Sequence, residues 1–140
     1  MSALHVVFKV GGAEYALPVT DVVRMESFTS ATPVPGTKSY VAGVVQIRGK
    51  VVPLVDLRAR FGLPAIERGT EARVVVCRHG ERTVGLLVDS AREVVKLEPA
   101  QLQPPPEMVS HDTSGLLKAI AQIGTRMLLV LDFPKVIGEE

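Results

Sequence analysis

The chain has 140 residues, 46% of them hydrophobic and 22% charged, with a formal net charge of +1. That length makes one domain, or two very small units sharing a core, and no apolar run approaches the roughly 18–20 residues of a membrane span. Near-neutral charge, with six aromatic residues and no tryptophan, leaves neither the basic field nor the stacking surface of a nucleic-acid binder.

Met1-Ser2-Ala3-Leu4-His5 has no basic region and no cleavable apolar segment, so no secretion signal is expected. Leu4–Val10 alternates loosely, stops at the hairpin turn Gly11-Gly12, and returns as a strand over Glu14–Pro18. Val19–Met25 is ambiguous: Val19, Val22 and Val23 suit a helical turn, with Asp21 and Arg24 exposed. Thr29–Lys38, with Pro33, Pro35 and Gly36, reads as a loop. Two β-branched runs follow, Val44–Ile47 and Val51–Val55, joined by Arg48-Gly49-Lys50, where Gly49 supplies the permissive φ of a tight reversal. Asp56 sits where an N-cap belongs, ahead of Leu57–Phe61, with Gly62 and Pro64 as the stop.

Pro64–Thr70 is polar and aperiodic, an internal seam within a single domain spanning 1–140. Strands are expected over Arg73–Cys77, Arg82–Asp89 and Glu93–Leu97, with a turn at His79-Gly80. Pro99 and Pro104-Pro105-Pro106 bracket a connecting loop. A last hairpin runs Leu116–Ile123, Gly124-Thr125, Met127–Asp132, and a helical turn closes the chain at Pro134–Ile137. The last hairpin repeats the earlier one. Gln46-Ile47 matches Gln122-Ile123, Val51–Leu57 matches Met127–Phe133, and in both copies an aspartate follows the strand and opens a short helix ending at Gly62 or Gly138. Two related β units are therefore expected.

Catalytic chemistry has little to stand on. His5, His79 and His111 lack the spacing of a metal site, and His111-Asp112 reads as a solvated loop pair. No serine lies on a nucleophile elbow and no phosphate-binding glycine loop occurs. No cofactor is expected. Asp56 and Asp132 could be paired carboxylates, but their matched positions after strands favour capping. Cys77 cannot form an internal disulfide, suits a reducing compartment, and reads as a small buried side chain. Arg48, beside a turn glycine, is either an exposed hairpin arginine or a functional one, and the residues alone leave both open.

The order Gly43-Val44-Val45-Gln46-Ile47-Arg48-Gly49, then Val51-Val52-Pro53-Leu54-Val55-Asp56-Leu57-Arg58, closely resembles the signature of the CheW family of bacterial chemotaxis adaptors. Tyr15-Ala16-Leu17-Pro18, Thr32-Pro33-Val34-Pro35, Thr83–Asp89 and Gly124–Asp132 resemble further family segments in the same order, covering nearly the whole chain. The resemblance implies a mainly β fold of two five-stranded SH3-like barrels packed side by side. It also implies a cytoplasmic, non-enzymatic scaffold recruited to receptor arrays at the inner face of the membrane. Its partners would be the regulatory domain of a CheA-type histidine kinase and the cytoplasmic tip of methyl-accepting chemoreceptors, with self-association in arrays. Matching positions point to Val22, Met25 and Val88 for a receptor groove, with Arg48 beside it.

The resemblance departs at Arg24, where many members carry a glutamate facing the motif arginine; Glu26 is the other carboxylate available to Arg48. Two alternatives follow. One is a CheW-like module of a divergent pathway, controlling pili or gene expression, that couples or sequesters a different kinase. The other, from another class, is a small SH3-like RNA-binding domain.

Overall fold

The computed structural model describes residues 2–106 and 114–138, so the His111-Asp112 pair lies outside the described residues. Among the described residues eleven strands form two sheets. β1 (Ala3–Val10) and β2 (Ala13–Pro18) make a hairpin, and a 3-10 turn at Val19–Asp21 leads into β3 (Val22–Ser27). The ambiguous segment is thus a single helical turn and then a strand. β4 (Val41–Ile47), β5 (Lys50–Asp56) and α1 (Leu57–Arg60) follow, then β6 (Arg73–His79), β7 (Arg82–Val88) and β8 (Ser90–Leu97). The chain closes with β9 (Leu102–Gln103), β10 (Leu117–Ile123), β11 (Arg126–Leu131) and α2 (Phe133–Val136). One sheet has the order β8-β1-β2-β11-β10-β9 and the other β3-β6-β7-β5-β4. The first exceeds the expected five strands because two residues of β9 pair along β10.

The expected repeat extends through the whole fold. The pairs Val41↔Val55, Gly43↔Leu54 and Ile47↔Lys50 of one hairpin recur as Leu117↔Leu131, Ala119↔Val130 and Ile123↔Arg126 of the other, with the register shift at the same place. β5 then pairs in parallel with β7, and β11 with β2, in matching register. Thr32 bonds both ways to Val44 at 2.9 Å, mirroring Gln103 on Ile120. β3 leaves β2 to pair with β6 in the second sheet, and β8 leaves β7 to pair with β1 in the first. Each sheet thus borrows a strand from the other.

This exchange places the crossings between sheets at Val19–Asp21 and at Asp89. The polar segment 64–70 follows β5 and α1 and leads into β6, and β5 and β6 are strands of one sheet. The expected seam is therefore not the boundary between the sheets, which interleave along the chain.

Alternation along the strands builds three apolar clusters. Val7, Ala16, Leu97, Ala121, Leu128 and Val130 fill the first barrel, and Leu54, Ala72, Val74, Val76 and Leu87 the second. The opposite faces, including Phe8, Tyr15, Leu17, Val75, Leu86 and Phe133, meet between the sheets in the largest cluster. Strands buried on both faces explain why Arg73–Cys77 and Thr83–Val88 read as unbroken apolar runs and not as alternating ones.

Polar contacts lock the assembly. Asp89 accepts from Gly11 N–H at 2.8 Å, Arg58 Nη1 at 2.7 Å and Arg68 Nη1 at 2.7 Å, tying one sheet crossing to the β1–β2 turn, α1 and the 64–70 segment. Arg60 stacks on Tyr40, 4.4 Å from its ring centre, and donates to the Val136 and Lys135 carbonyls at 2.7 and 2.9 Å, joining the two short helices.

Candidate protein-docking surfaces

The residues singled out in the sequence separate into two groups, and a β-bulge is the reason. β3 pairs Val22 with Cys77 but Arg24 with Val76, so Val23 is an extra residue. Were the three residues regularly paired, Val22 and Arg24, two apart, would share a face. With the bulge, Val22 and Met25 pack against the core between the sheets, while Arg24 turns to the side of Val76, a residue of the second barrel's interior. β3 is the outermost strand of its sheet, so half-buried Val22 and Met25 form an apolar margin where the sheets meet. Val88 is not part of that surface. It is fully buried in the shared core and presents nothing to a partner; β7 is an internal strand covered on both faces.

Arg24 and Arg48 instead belong to the open end of the second barrel. All five strands contribute to a depression of about 300 Å³ there. Arg24, Arg48, Lys50 and Arg78 line it, above Ile47, Val52 and Val76. Glu26 does reach Arg48: the carboxylate accepts from Nε at 3.4 Å, with the arginine side chain 72% exposed. Exposed pairs of this kind contribute about 0–1 kcal/mol. Arg48 also carries a backbone peculiarity, φ 51°, followed by Gly49 at φ 81°. Two successive positive φ values in a two-residue loop make a type I′ turn, whose twist matches the flanking strands. An arginine is strained there, and the turn holds its side chain out over the depression.

The aspartates are caps. Asp56 accepts from Arg58 N–H at 2.9 Å and Asp132 from Lys135 N–H at 3.3 Å, each opening a one-turn helix. Asp56 additionally accepts from Arg68 Nη2 at 3.0 Å. Burial pushes the Cys77 thiol far above its ordinary pKa, with Asp21 adding to the shift, so it stays a protonated core group. Among the described residues no cluster of three His, Cys, Asp or Glu side chains is placed to hold a metal ion. Phe8, Tyr15, Phe61 and Phe133 are buried, and Phe28 and Tyr40 are half-buried. The described surface therefore has no aromatic platform for stacking bases, which removes the support for the RNA-binding alternative. Among the described residues no helix is long and apolar enough to cross a membrane.

Sequence reasoning missed the first barrel's counterpart of this depression. There Glu14 is held bidentate by Arg126, Nε at 3.1 Å and Nη2 at 3.2 Å; Arg126 also reaches Glu93 at 2.7 Å, and Arg92 reaches Glu14 at 3.4 Å. Arg126 holds the Glu14 carboxyl below its ordinary range, against a smaller desolvation effect, and Arg92 adds to the lowering. The signal lay in the repeat, had it been carried back to β1–β2 and β6–β7: Lys9↔Glu14 in one hairpin corresponds to Arg78↔Thr83 in the other.

A family model described as a CheW-like domain matches residues 4–140. The chain is 36% identical over 135 residues to the chemotaxis protein CheW of Bacillus subtilis, covering 96% of this chain and 86% of that one. It is 31% identical over 135 residues to the CheW of Rhizobium meliloti, covering 96% and 87%. Among solved structures, the scaffolding protein TtCheW of Thermoanaerobacter tengcongensis superposes with a TM-score of 0.86 at 28% identity, covering 94% of this chain and 90% of that one.

Proposed function

The chain belongs to the CheW-like domain family, and from that premise we propose that it is a non-catalytic adaptor of the cytoplasm, coupling methyl-accepting chemoreceptors to a CheA-type histidine kinase. The observation that carries this is the family match across residues 4–140, joined to two interleaved barrels whose conspicuous surfaces suit protein contact. The apolar margin at Val22 and Met25 fits a helical receptor tip laying its apolar face along the junction of the barrels. The kinase's regulatory domain, homologous to this fold by the family resemblance, meets a barrel end, and like domains joined in this way extend into arrays.

The test is reconstitution with a CheA-type kinase and a methyl-accepting receptor from the source cell. The protein binds the kinase regulatory domain and raises receptor-dependent autophosphorylation, and Met25→Glu abolishes that coupling while the variant stays folded. Absence of any complex with the kinase domain would refute the adaptor role. Intact coupling by Met25→Glu would refute the assigned surface. A divergent pathway with a different kinase is the second reading, favoured by Arg24 standing where many family members carry a glutamate.

A further inference from the structure

The repeat allows the two barrel mouths to be compared residue by residue. Pairing registers equate Glu14 with Thr83, Lys9 with Arg78, Glu93 with Arg24 and Arg126 with Lys50. Positive side chains persist in both mouths. The carboxylates do not. In the first barrel Glu14 and Glu93 neutralise Arg126, and Glu14 also engages Arg92. In the second, one acidic position is a threonine and the other an arginine.

We propose that the second mouth docks an acidic segment of a partner protein, which supplies in trans the carboxylates that Glu14 and Glu93 supply in cis to the first. Arg24 is half-buried, and neither its side chain nor that of Lys50 has a hydrogen-bonding or ionic partner among the described residues. Among the described residues Arg78 spends only Nε, on the Gly80 carbonyl at 3.1 Å. Glu26 offsets part of the charge through Arg48 and does not line the depression. Like charges gathered over low-dielectric walls repel one another and attract anions strongly.

The floor decides the kind of anion. Ile47, Val52 and Val76 offer an aliphatic bed, and Val23, 47% exposed, adds to its lining. A mineral anion gains nothing from that surface, whereas a polypeptide with one aliphatic side chain flanked by Asp or Glu uses both floor and rim. The site lies on the opposite side of β3 from Val22 and Met25, so it is additional to the receptor margin and stands whether or not the adaptor role holds.

The experiment titrates the isotope-labelled full chain with a short synthetic peptide, one leucine among alternating aspartate and glutamate, and follows backbone amide shifts. Parallel titrations use the Leu→Ser peptide, inorganic phosphate and a uridine oligonucleotide. The expected result is shifts confined to residues 23–24, 47–52, 76–78 and 83. Affinity should fall about tenfold as salt rises towards about 0.3 M, and the Leu→Ser peptide should bind several-fold more weakly. The double variant Arg24→Glu with Thr83→Glu rebuilds the first barrel's carboxylates in cis and should lose about tenfold or more in peptide affinity, its melting confirming the fold. Lys50→Gln with Arg78→Gln is the second variant, and must weaken binding even if the first fails to fold. No binding, shifts elsewhere, or variants that bind like the parent would overturn the proposal. Equal shifts from phosphate or RNA, without dependence on the leucine, would overturn the acidic-segment assignment.

Discussion

The two barrels share one backbone plan and differ at their mouths. At the first, Glu14, Arg92, Glu93 and Arg126 close a network among themselves. At the second, equivalent positions hold Thr83, Val23, Arg24 and Lys50, and the charge is left facing solvent. A duplicated unit can thus keep its core, turns and caps while changing rim side chains, so that one copy pairs its charges internally and the other leaves them facing solvent. Fold and binding capacity reside in different residues of the same strands.

The comparison assumes that the barrels form one thermodynamic unit despite their different rims. The largest expected effect tests that assumption. Phe8 belongs to the cluster shared by both sheets and is fully buried, so Phe8→Ala should cost about 3–5 kcal/mol. Denaturant unfolding should remain a single transition by both circular dichroism and tyrosine fluorescence. Two separated transitions would show the barrels to be independent, and the interleaving of β3 and β8 to be energetically empty.

Next comes the crossing at Asp89, which among the described residues has no equivalent clamp in the other crossing, where the repeat places Thr20. Burial pushes the Asp89 carboxyl up, but the Gly11 N–H, the Arg68 hydrogen bond and the Arg58 charge together bring it below its ordinary value. A depressed carboxylate contributes stability that is present above its unfolded pKa and lost as pH falls through its folded one. Melting temperature should therefore drop below about pH 4, with Glu14 acting in the same direction. Asp89→Asn should cost about 2–4 kcal/mol at neutral pH, since it strands two arginines, and should flatten the acid limb. An unchanged acid limb in Asp89→Asn would remove the clamp from the account.

A smaller effect separates the two matched hairpins. Gly43 and Ala119 are equivalent, yet Gly43 has φ 138° and a Cβ there would collide with the Thr32 carbonyl oxygen. Gly43→Ala should cost about 1–3 kcal/mol and detach Thr32 from Val44, read as faster amide exchange at Thr32 and Val44. The smallest effect belongs to Arg48. Its pair with Glu26 is exposed, so Arg48→Glu should change stability by about 0–1 kcal/mol while altering partner preference. A large loss of stability would make Arg48 a structural residue of its turn.

Much of this was legible in the chain. Asp56 and Asp132 announced their caps, Gly49 its turn, and the Gln-Ile hairpins their duplication, because each depends on neighbours within a few residues. What escaped depends on pairing between distant segments. Nothing in Val22-Val23-Arg24 marks a bulge, yet that one residue sends Arg24 to the barrel mouth and leaves Val22 at the sheet junction. Val88 ends an apolar run that suits a surface groove or a core equally, and only the covering of β7 on both faces decides for the core. Glu14 and Arg126 stand at opposite ends of the chain and meet because β2 and β11 pair in parallel. The seam expected at 64–70 failed for the same reason: composition records where the chain is polar, not which strands exchange between sheets.

The central claim is that Thr83 and Arg24, standing where the first rim has Glu14 and Glu93, leave the second mouth's cations free to receive an acidic segment. The most direct measurement is therefore a transplant onto the first barrel. Glu14→Thr with Glu93→Arg gives that mouth the second one's residues at its two acidic positions, and calorimetric titration with the acidic leucine peptide counts the sites. The account predicts that stoichiometry rises from one peptide per folded chain to two. A folded variant that still binds one peptide would contradict it.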